Sequence, residues 1–229
     1  MAQGTGRDEP AGALLARVPM FAGASADVID RLAACCRERD VDKSAPVFLE
    51  GDPGDALYVV VDGLVKISVF SVDGDEAAFR AVGAGGAFGE LSALDGAPRS
   101  ASAIALRPTR LLALPGEVLR STIRTEPALA ELVLRAVAER LRATTHQHAD
   151  FVFLDLAARV AGYLLERASG SPPTVSIELT QGDLAALLGG SRQSVNQVLR
   201  GFETDGVLRR RGSMLEIVDR PRLCERASA

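Results

Sequence analysis

The sequence predicts an α+β protein: an antiparallel β-roll or sandwich, then a long helix, then a helix-turn-helix followed by a two-stranded wing. Three observations predict it. Short β-branched or alternating runs crowd the first half and are separated by glycine- and aspartate-rich turns. From Pro115 the apolar residues recur in steps of three and four instead of two. Near the C-terminus, two short helical patterns flank the pair Gly189-Gly190. A chain of 229 residues is long enough to bury more than one core. The expected boundaries are 13–118 for the β-roll, 119–152 for the long helix and 153–229 for the helix-turn-helix part.

Met1 to Gly12 is small, polar and broken by Pro10, with no apolar core ahead of a cleavage site. It reads as an unstructured lead-in and not as a signal peptide. No apolar run approaches the roughly 18 residues that a membrane helix needs. The expectation is a cytoplasmic protein with no membrane partner. Ser25 to Arg39 reads as a helix, capped by Ser25, with Val28, Ile29, Leu32 and Cys36 at helical spacing. Strands are expected at 47–49, 57–61, 64–70, 78–82, 101–105 and 110–113. Turn chemistry lies between them at Gly51-Asp52-Pro53-Gly54-Asp55, Asp62-Gly63, Asp73-Gly74-Asp75 and 83–86. Many short strands at close spacing imply an antiparallel arrangement.

From Pro115 to Asp150 a helix is expected. Leu134, Val137, Leu141, Thr144 and His148 form a narrow stripe along it, the seam of a coiled coil. One helix packed on its own domain would serve the same pattern. The narrowness of the stripe and its polar far end favour pairing with a second copy. Phe151 to Ala168 reads as a short helix after a hinge, ended by Ser169-Gly170-Ser171-Pro172-Pro173. Thr174 to Leu179 alternates as a strand. Thr180 caps a helix with Asp183 three residues on, and Gly189-Gly190 turns the chain. Ser191 then caps a second helix that ends near Gly206. Residues 207–211 and 214–218, with Gly212-Ser213 between them, complete the wing.

The chemistry is concentrated in residues 88–101, Phe-Gly-Glu-Leu-Ser-Ala-Leu-Asp-Gly-Ala-Pro-Arg-Ser-Ala. Gly89 permits close backbone approach. The N–H groups around Glu90, Leu91 and Ser92 could form an anion nest. Arg99 brings a planar fork that grips phosphate oxygens, and Ser100 one further hydroxyl donor. Glu90 is no phosphate ligand but suits a sugar hydroxyl beside one, and the two together suggest a nucleotide. The bland alternative, a surface loop holding an Arg–Glu pair, is common and worth little energetically. Both halves of the motif at their observed separation weigh against it.

Lysine and arginine total 26 against 30 acids, for a net charge of −4, so overall charge advertises no polyanion partner. Its distribution does. From Ser191 to Gly212, Arg192, Arg200, Arg209, Arg210 and Arg211 face only Glu203 and Asp205. At the start of the second helix Arg192, Gln193, Ser194, Asn196 and Gln197 offer donors and acceptors suited to base edges. Arg209 to Arg211 suit phosphates. An ordinary helical hairpin with solvated charges is the competing reading. Val195, Val198, Leu199 and Phe202 are core.

Cys35, Cys36 and Cys224 make no disulfide framework, and Cys35-Cys36 lacks metal-ligand spacing. His146 and His148 lie two apart on one helix and point in different directions. No metal is expected. No acid–base pair at catalytic spacing or nucleophile motif stands out, so no enzyme is expected either.

Residues 88–101 closely resemble the phosphate-binding cassette of cyclic-nucleotide-binding domains, and Gly51 to Gly63 resembles the β-roll of the same domains. Their glycines read as structural turns. The run from Leu179 to Leu199 looks like the winged helix-turn-helix of the CRP/FNR regulators. The resemblance spans about Leu14 to Val218. It implies a homodimer responsive to cAMP, with cGMP possible, that binds a double-stranded DNA operator and works with RNA polymerase. It places Gly89, Glu90, Leu91, Ser92, Arg99 and Ser100 on the ligand. Aligning Phe153-Leu154-Asp155 adds Arg140 at the phosphate or its cassette, and Thr144 and Thr145 at the adenine. On DNA it places Thr180, Gln181, Ser191, Arg192, Gln193, Ser194, Asn196, Gln197, Arg200 and Arg209. Well-known cAMP-receptor members carry Glu and Arg where this chain has Gln193 and Gln197, which leaves the operator half-site open. Two alternatives stand beside this reading. One is the same regulator answering another ligand or none; the other is a cyclic-nucleotide module that controls a partner protein.

Overall fold

The computed structural model describes residues 9–74, 76–168, 173–176, 181–211 and 214–228. The chain forms two compact units, Met1–Gly74 with Phe79–Leu141, and Asp75–Ala78 with Arg142–Ala229. The first unit opens with helix α1 (Ala11–Arg17), a 3-10 turn (Pro19–Phe21) and helix α2 (Ala26–Ala34). The Ser25 hydroxyl caps α2 by accepting from the Val28 N–H at 3.4 Å.

The expected helix to Arg39 stops early. Strand β1 (Arg37–Val41) begins instead, paired antiparallel with β8 (Thr109–Pro115). Only Val41 of β1 is buried. Charged side chains suit this exposed edge and gave no strand pattern to read. Cys36 packs at the end of α2, where its thiol donates to the Leu32 carbonyl oxygen at 3.3 Å. Burial pushes that thiol up to about 12, and Cys35 adds to the effect.

Strands β2 (Pro46–Phe48), β3 (Ala56–Asp62), β4 (Leu64–Phe70), β5 (Glu76–Gly83), β6 (Ala87–Phe88) and β7 (Ser102–Ala105) complete two four-stranded sheets, ordered β1-β8-β3-β6 and β2-β7-β4-β5. Val60, Val65, Val82, Phe88, Ala103, Ala105 and Leu111, drawn from both sheets, enclose one core. Leu57, Val59, Val61, Leu112 and Leu114 point the other way, into a second core with α1 and α2. β3 is therefore buried on both faces, which is why its sequence reads as an unbroken apolar run.

The helical stretch after Pro115 is two helices, α4 (Gly116–Thr125) and α5 (Pro127–Phe153). Glu126 between them has φ −125° and ψ 88°. A residue ahead of proline is driven from helical to extended angles, and Pro127 opens the next helix without a missing bond. Phe151 to Phe153 finish α5 where a new helix was expected. Leu129 and Val133 of α5 are buried in the core beside α2, whereas Leu134 is 69% and Leu141 67% exposed.

In the second unit Asp155 caps helix α6 (Leu156–Arg167) by accepting from the Ala158 N–H at 2.7 Å. Strand β9 (Thr174–Ser176), helices α7 (Gln181–Leu188) and α8 (Arg192–Thr204), strands β10 (Leu208–Arg211) and β11 (Met214–Ile217), and helix α9 (Arg220–Ala227) follow. The strands form an antiparallel sheet ordered β10-β11-β9. Thr180 and the turn Gly212-Ser213 lie outside the described residues. Leu164, Leu184, Leu188, Val195, Leu199, Phe202, Leu215 and Leu223 are among the buried side chains.

Candidate functional site

β6 ends at Phe88, and Gly89 turns the chain into the short helix α3 (Glu90–Asp95). Gly89 has φ 75°, in the left-handed region, and a Cβ there would meet Arg99 Nη1 at 2.7 Å. Arg99 itself is only 3% exposed. Its Nη1 donates to the Gly89 carbonyl oxygen at 3.0 Å, and its Nη2 to the Ala56 carbonyl oxygen at 2.9 Å and Asp55 Oδ1 at 3.2 Å. The guanidinium lies 4.1 Å from the centre of the Phe48 ring. Backbone bonds Gly51 N to Arg99 O (2.9 Å) and Arg99 N to Asp52 O (2.8 Å) lash this loop to the preceding turn. Three of the five guanidinium hydrogens are thus engaged, and Arg99 Nε is buried without a partner. The fork builds the loop and leaves Nε as a buried donor.

Glu90 is buried, and two arginines approach its carboxylate. Arg140 Nε of α5 lies 3.4 Å from Oε1, and Arg80 Nη2 of β5 lies 3.6 Å from Oε2. The structure therefore brings Arg140, expected from the resemblance, to the cassette acid. It adds Arg80, which the sequence reading missed. A signal existed: Arg80 is in phase with the buried Ala78 and Val82 on an alternating strand. Burial pulls the Arg80 guanidinium down to about 10; Glu90 opposes that shift and Arg140 adds to it. Burial also lowers Arg140, again against Glu90. At about 10, Arg80 remains a cation at neutral pH.

The other cassette residues divide. Ser92 is buried, and its hydroxyl donates to the Pro98 carbonyl oxygen at 3.2 Å, so that side chain braces the loop and does not face a ligand. The side chains of Leu91 and Ser100 are exposed. Thr144 and Thr145 are exposed on α5, the first of them one turn beyond Arg140.

In the second unit Gly189, with φ 64°, turns the chain between α7 and α8, and the Ser191 hydroxyl caps α8 by accepting from the Ser194 N–H at 3.0 Å. Removing that cap by Ser191→Ala is expected to destabilise the protein by about 1 kcal/mol, read by urea unfolding. Val195, Leu199 and Phe202 are buried. The opposite face presents Arg192, Gln193, Asn196, Gln197 and Arg200 around one shallow concavity. Asn196 Nδ2 donates to Gln181 Oε1 at 2.7 Å, coupling the two helices. Among the described residues no ion pair involves Arg192 or Arg200. The wing differs from expectation. Arg209 and Arg211 both pair with Glu216, at 3.8 and 2.7 Å, and Arg210 pairs with Glu203 at 2.9 Å. Strand pairing places Glu216, and helix α8 places Glu203, against the arginines, so the wing carries less unopposed charge than its sequence suggests.

Comparison with known proteins agrees with both halves. A model described as the cyclic nucleotide-binding domain matches residues 38–126, and one described as the Crp-like helix-turn-helix domain matches residues 158–226. The chain is 37% identical over 220 residues to the CRP-like cAMP-activated global transcriptional regulator of Mycobacterium tuberculosis, covering 93% of this chain and 98% of that one. It is 35% identical over 192 residues to the cyclic AMP receptor protein of Thermus thermophilus, covering 83% and 88%. Among solved structures, FixK2 from Bradyrhizobium japonicum superposes with a TM-score of 0.77 at 22% identity, covering 85% of this chain and 98% of that one, and so shares the fold.

Proposed function

The chain belongs to the CRP/FNR family of transcriptional regulators, and from that premise we propose that it is a homodimer that binds cAMP in the β-roll and thereby alters how its two recognition helices meet an operator. The observation that carries this reading is the contact between Arg140 and Glu90, because it ties the cassette to the long helix. The residues present fit the ligand. Arg99 Nε is a buried donor with no partner, suited to a cyclic phosphate. Glu90 suits the ribose hydroxyl and the exposed Ser100 the phosphate, while the resemblance assigns Thr144 and Thr145 to the base. The nucleotide, when bound, supplies the anion and the hydroxyl that this set is missing. A ligand shifts the balance of two arrangements only by its differential affinity for them, and a helix side chain in the site is one route to that difference.

The exposure of Leu134 and Leu141, seven residues apart on α5 with Val137 between them, supports pairing along that helix. No helix among the described residues is long and apolar enough to cross a membrane. A cytoplasmic location and RNA polymerase as a partner complete the proposal. Side-by-side calorimetric titration with cAMP and cGMP tests it. Saturable binding of one ligand per subunit, with cAMP preferred, is expected, and binding of neither overturns it.

Arg192→Ala is expected to weaken operator binding by roughly 10- to 100-fold, the worth of one bidentate base contact. Nucleotide affinity should stay unchanged. An unaltered operator footprint would remove Arg192 from the interface.

A further inference from the structure

We propose that Arg80 is a ligand-contacting residue that, together with Glu90, reads the ribose hydroxyl of the bound nucleotide. This rests on the cyclic-nucleotide reading of the site. Arg80 lies on β5 in phase with two buried side chains, and its Nε is buried without a hydrogen-bond partner. Its Nη2 stands 3.6 Å from Glu90 Oε2, longer than the about 2.7–2.9 Å of a charge-assisted hydrogen bond. A guanidinium and a carboxylate therefore sit side by side without closing on each other, and one buried donor is unused.

A purely structural ion pair accounts poorly for this arrangement. Arg140 already approaches the same carboxylate at 3.4 Å, so Glu90 does not need Arg80 for neutralisation. The second cation stands near the first, which is unfavourable, and an unpaired donor on a buried charged group is more so. Both are relieved by a neighbour that accepts from Arg80. A hydroxyl is one donor and two acceptors in a single atom. Seated at this pair, it donates to Glu90 and accepts from the Arg80 guanidinium, making two bonds where Glu90 alone makes one. The ribose hydroxyl assigned to Glu90 is that group. The positive excess of Arg80 and Arg140 over Glu90 also favours a ligand that is itself an anion.

The test compares cAMP with 2′-deoxy-cAMP by calorimetry on the wild-type protein and on Arg80→Met. The wild type is expected to bind cAMP roughly 10- to 100-fold more tightly than the deoxy ligand, the scale of hydrogen bonds to charged groups. Arg80→Met should lose most of that ratio, chiefly through weaker cAMP binding, with 2′-deoxy-cAMP affinity much less affected. Both ligands are titrated into one preparation, so a reduced folded fraction cancels from the ratio. Arg80→Gln serves where Arg80→Met yields too little protein, and the same loss is expected. Binding of neither ligand by the wild type overturns the cyclic-nucleotide reading and this role with it. A wild-type ratio near one, or a ratio preserved in the variant, overturns the role of Arg80 and leaves cyclic-nucleotide binding standing.

Discussion

Arg99→Ala is expected to weaken cyclic-nucleotide binding at least about a hundredfold and to destabilise the first unit by about 2–4 kcal/mol, with no change in oligomeric state. Two consequences separate here. The affinity loss follows from removing the buried donor Nε and the charge beside Gly89. The stability loss follows from the carbonyl oxygens of Gly89 and Ala56, which accept from this side chain at 3.0 and 2.9 Å and would be left without it. A buried acceptor stripped of its donor costs about 1–3 kcal/mol. The contact with the Phe48 ring is lost as well. Arg99→Lys should keep part of the charge effect but not the fork, because an ammonium cannot span both carbonyls. Urea unfolding without ligand and calorimetry with it read the two losses separately. Wild-type affinity in Arg99→Ala would remove the cassette from the function, and wild-type stability would show that the carbonyls find water.

Gly54→Ala is expected to produce the second large effect. A Cβ at this position would lie 2.0 Å from the Cβ of Ser92 and 2.7 Å from the Ala97 carbonyl oxygen. Neither is the far end of a flexible chain: Ser92 is in α3 with its hydroxyl on Pro98, and Ala97 is in the loop that Arg99 anchors. The segment must move as a piece, and overpacking of this kind costs about 1–3 kcal/mol or more. Gly54 touches the cassette and not the DNA-binding half, so nucleotide affinity should fall more steeply than global stability. The measurement is the midpoint of urea unfolding with and without saturating cAMP. A ligand-induced shift as large as in the wild type would show that the cassette tolerates the methyl group.

The chemistry of the site was legible because much of it is local. Gly89, Glu90, Arg99 and Ser100 sit within a dozen residues, and the types themselves name an anion and a hydroxyl. The helix-turn-helix was legible for the same reason: the Ser191 cap, a glycine turn and an apolar face occupy one short stretch. Strand β1 was not legible. Arg37 to Asp40 are exposed, so no alternation marks them, and only pairing with β8 makes them a strand. The break at Glu126 was readable from Pro127, yet the helical pattern on either side concealed it. The wing arginines read as free charge because Glu216 and Glu203 meet them only once the sheet and helix are formed.

By itself the sequence determined the class of fold, the family and the kind of ligand chemistry, since these depend on residue types at short, fixed spacings. Tertiary structure alone decided how those groups are used. Arg99 is held by Ala56, 43 residues away, and Glu90 is met by Arg80 from β5 and Arg140 from α5. Such partners are chosen by strand register and helix packing, which depend on closing long loops around a shared core. No local pattern encodes which distant side chain will arrive. A charged residue in phase with buried neighbours, as Arg80 is, signals only that something must meet it.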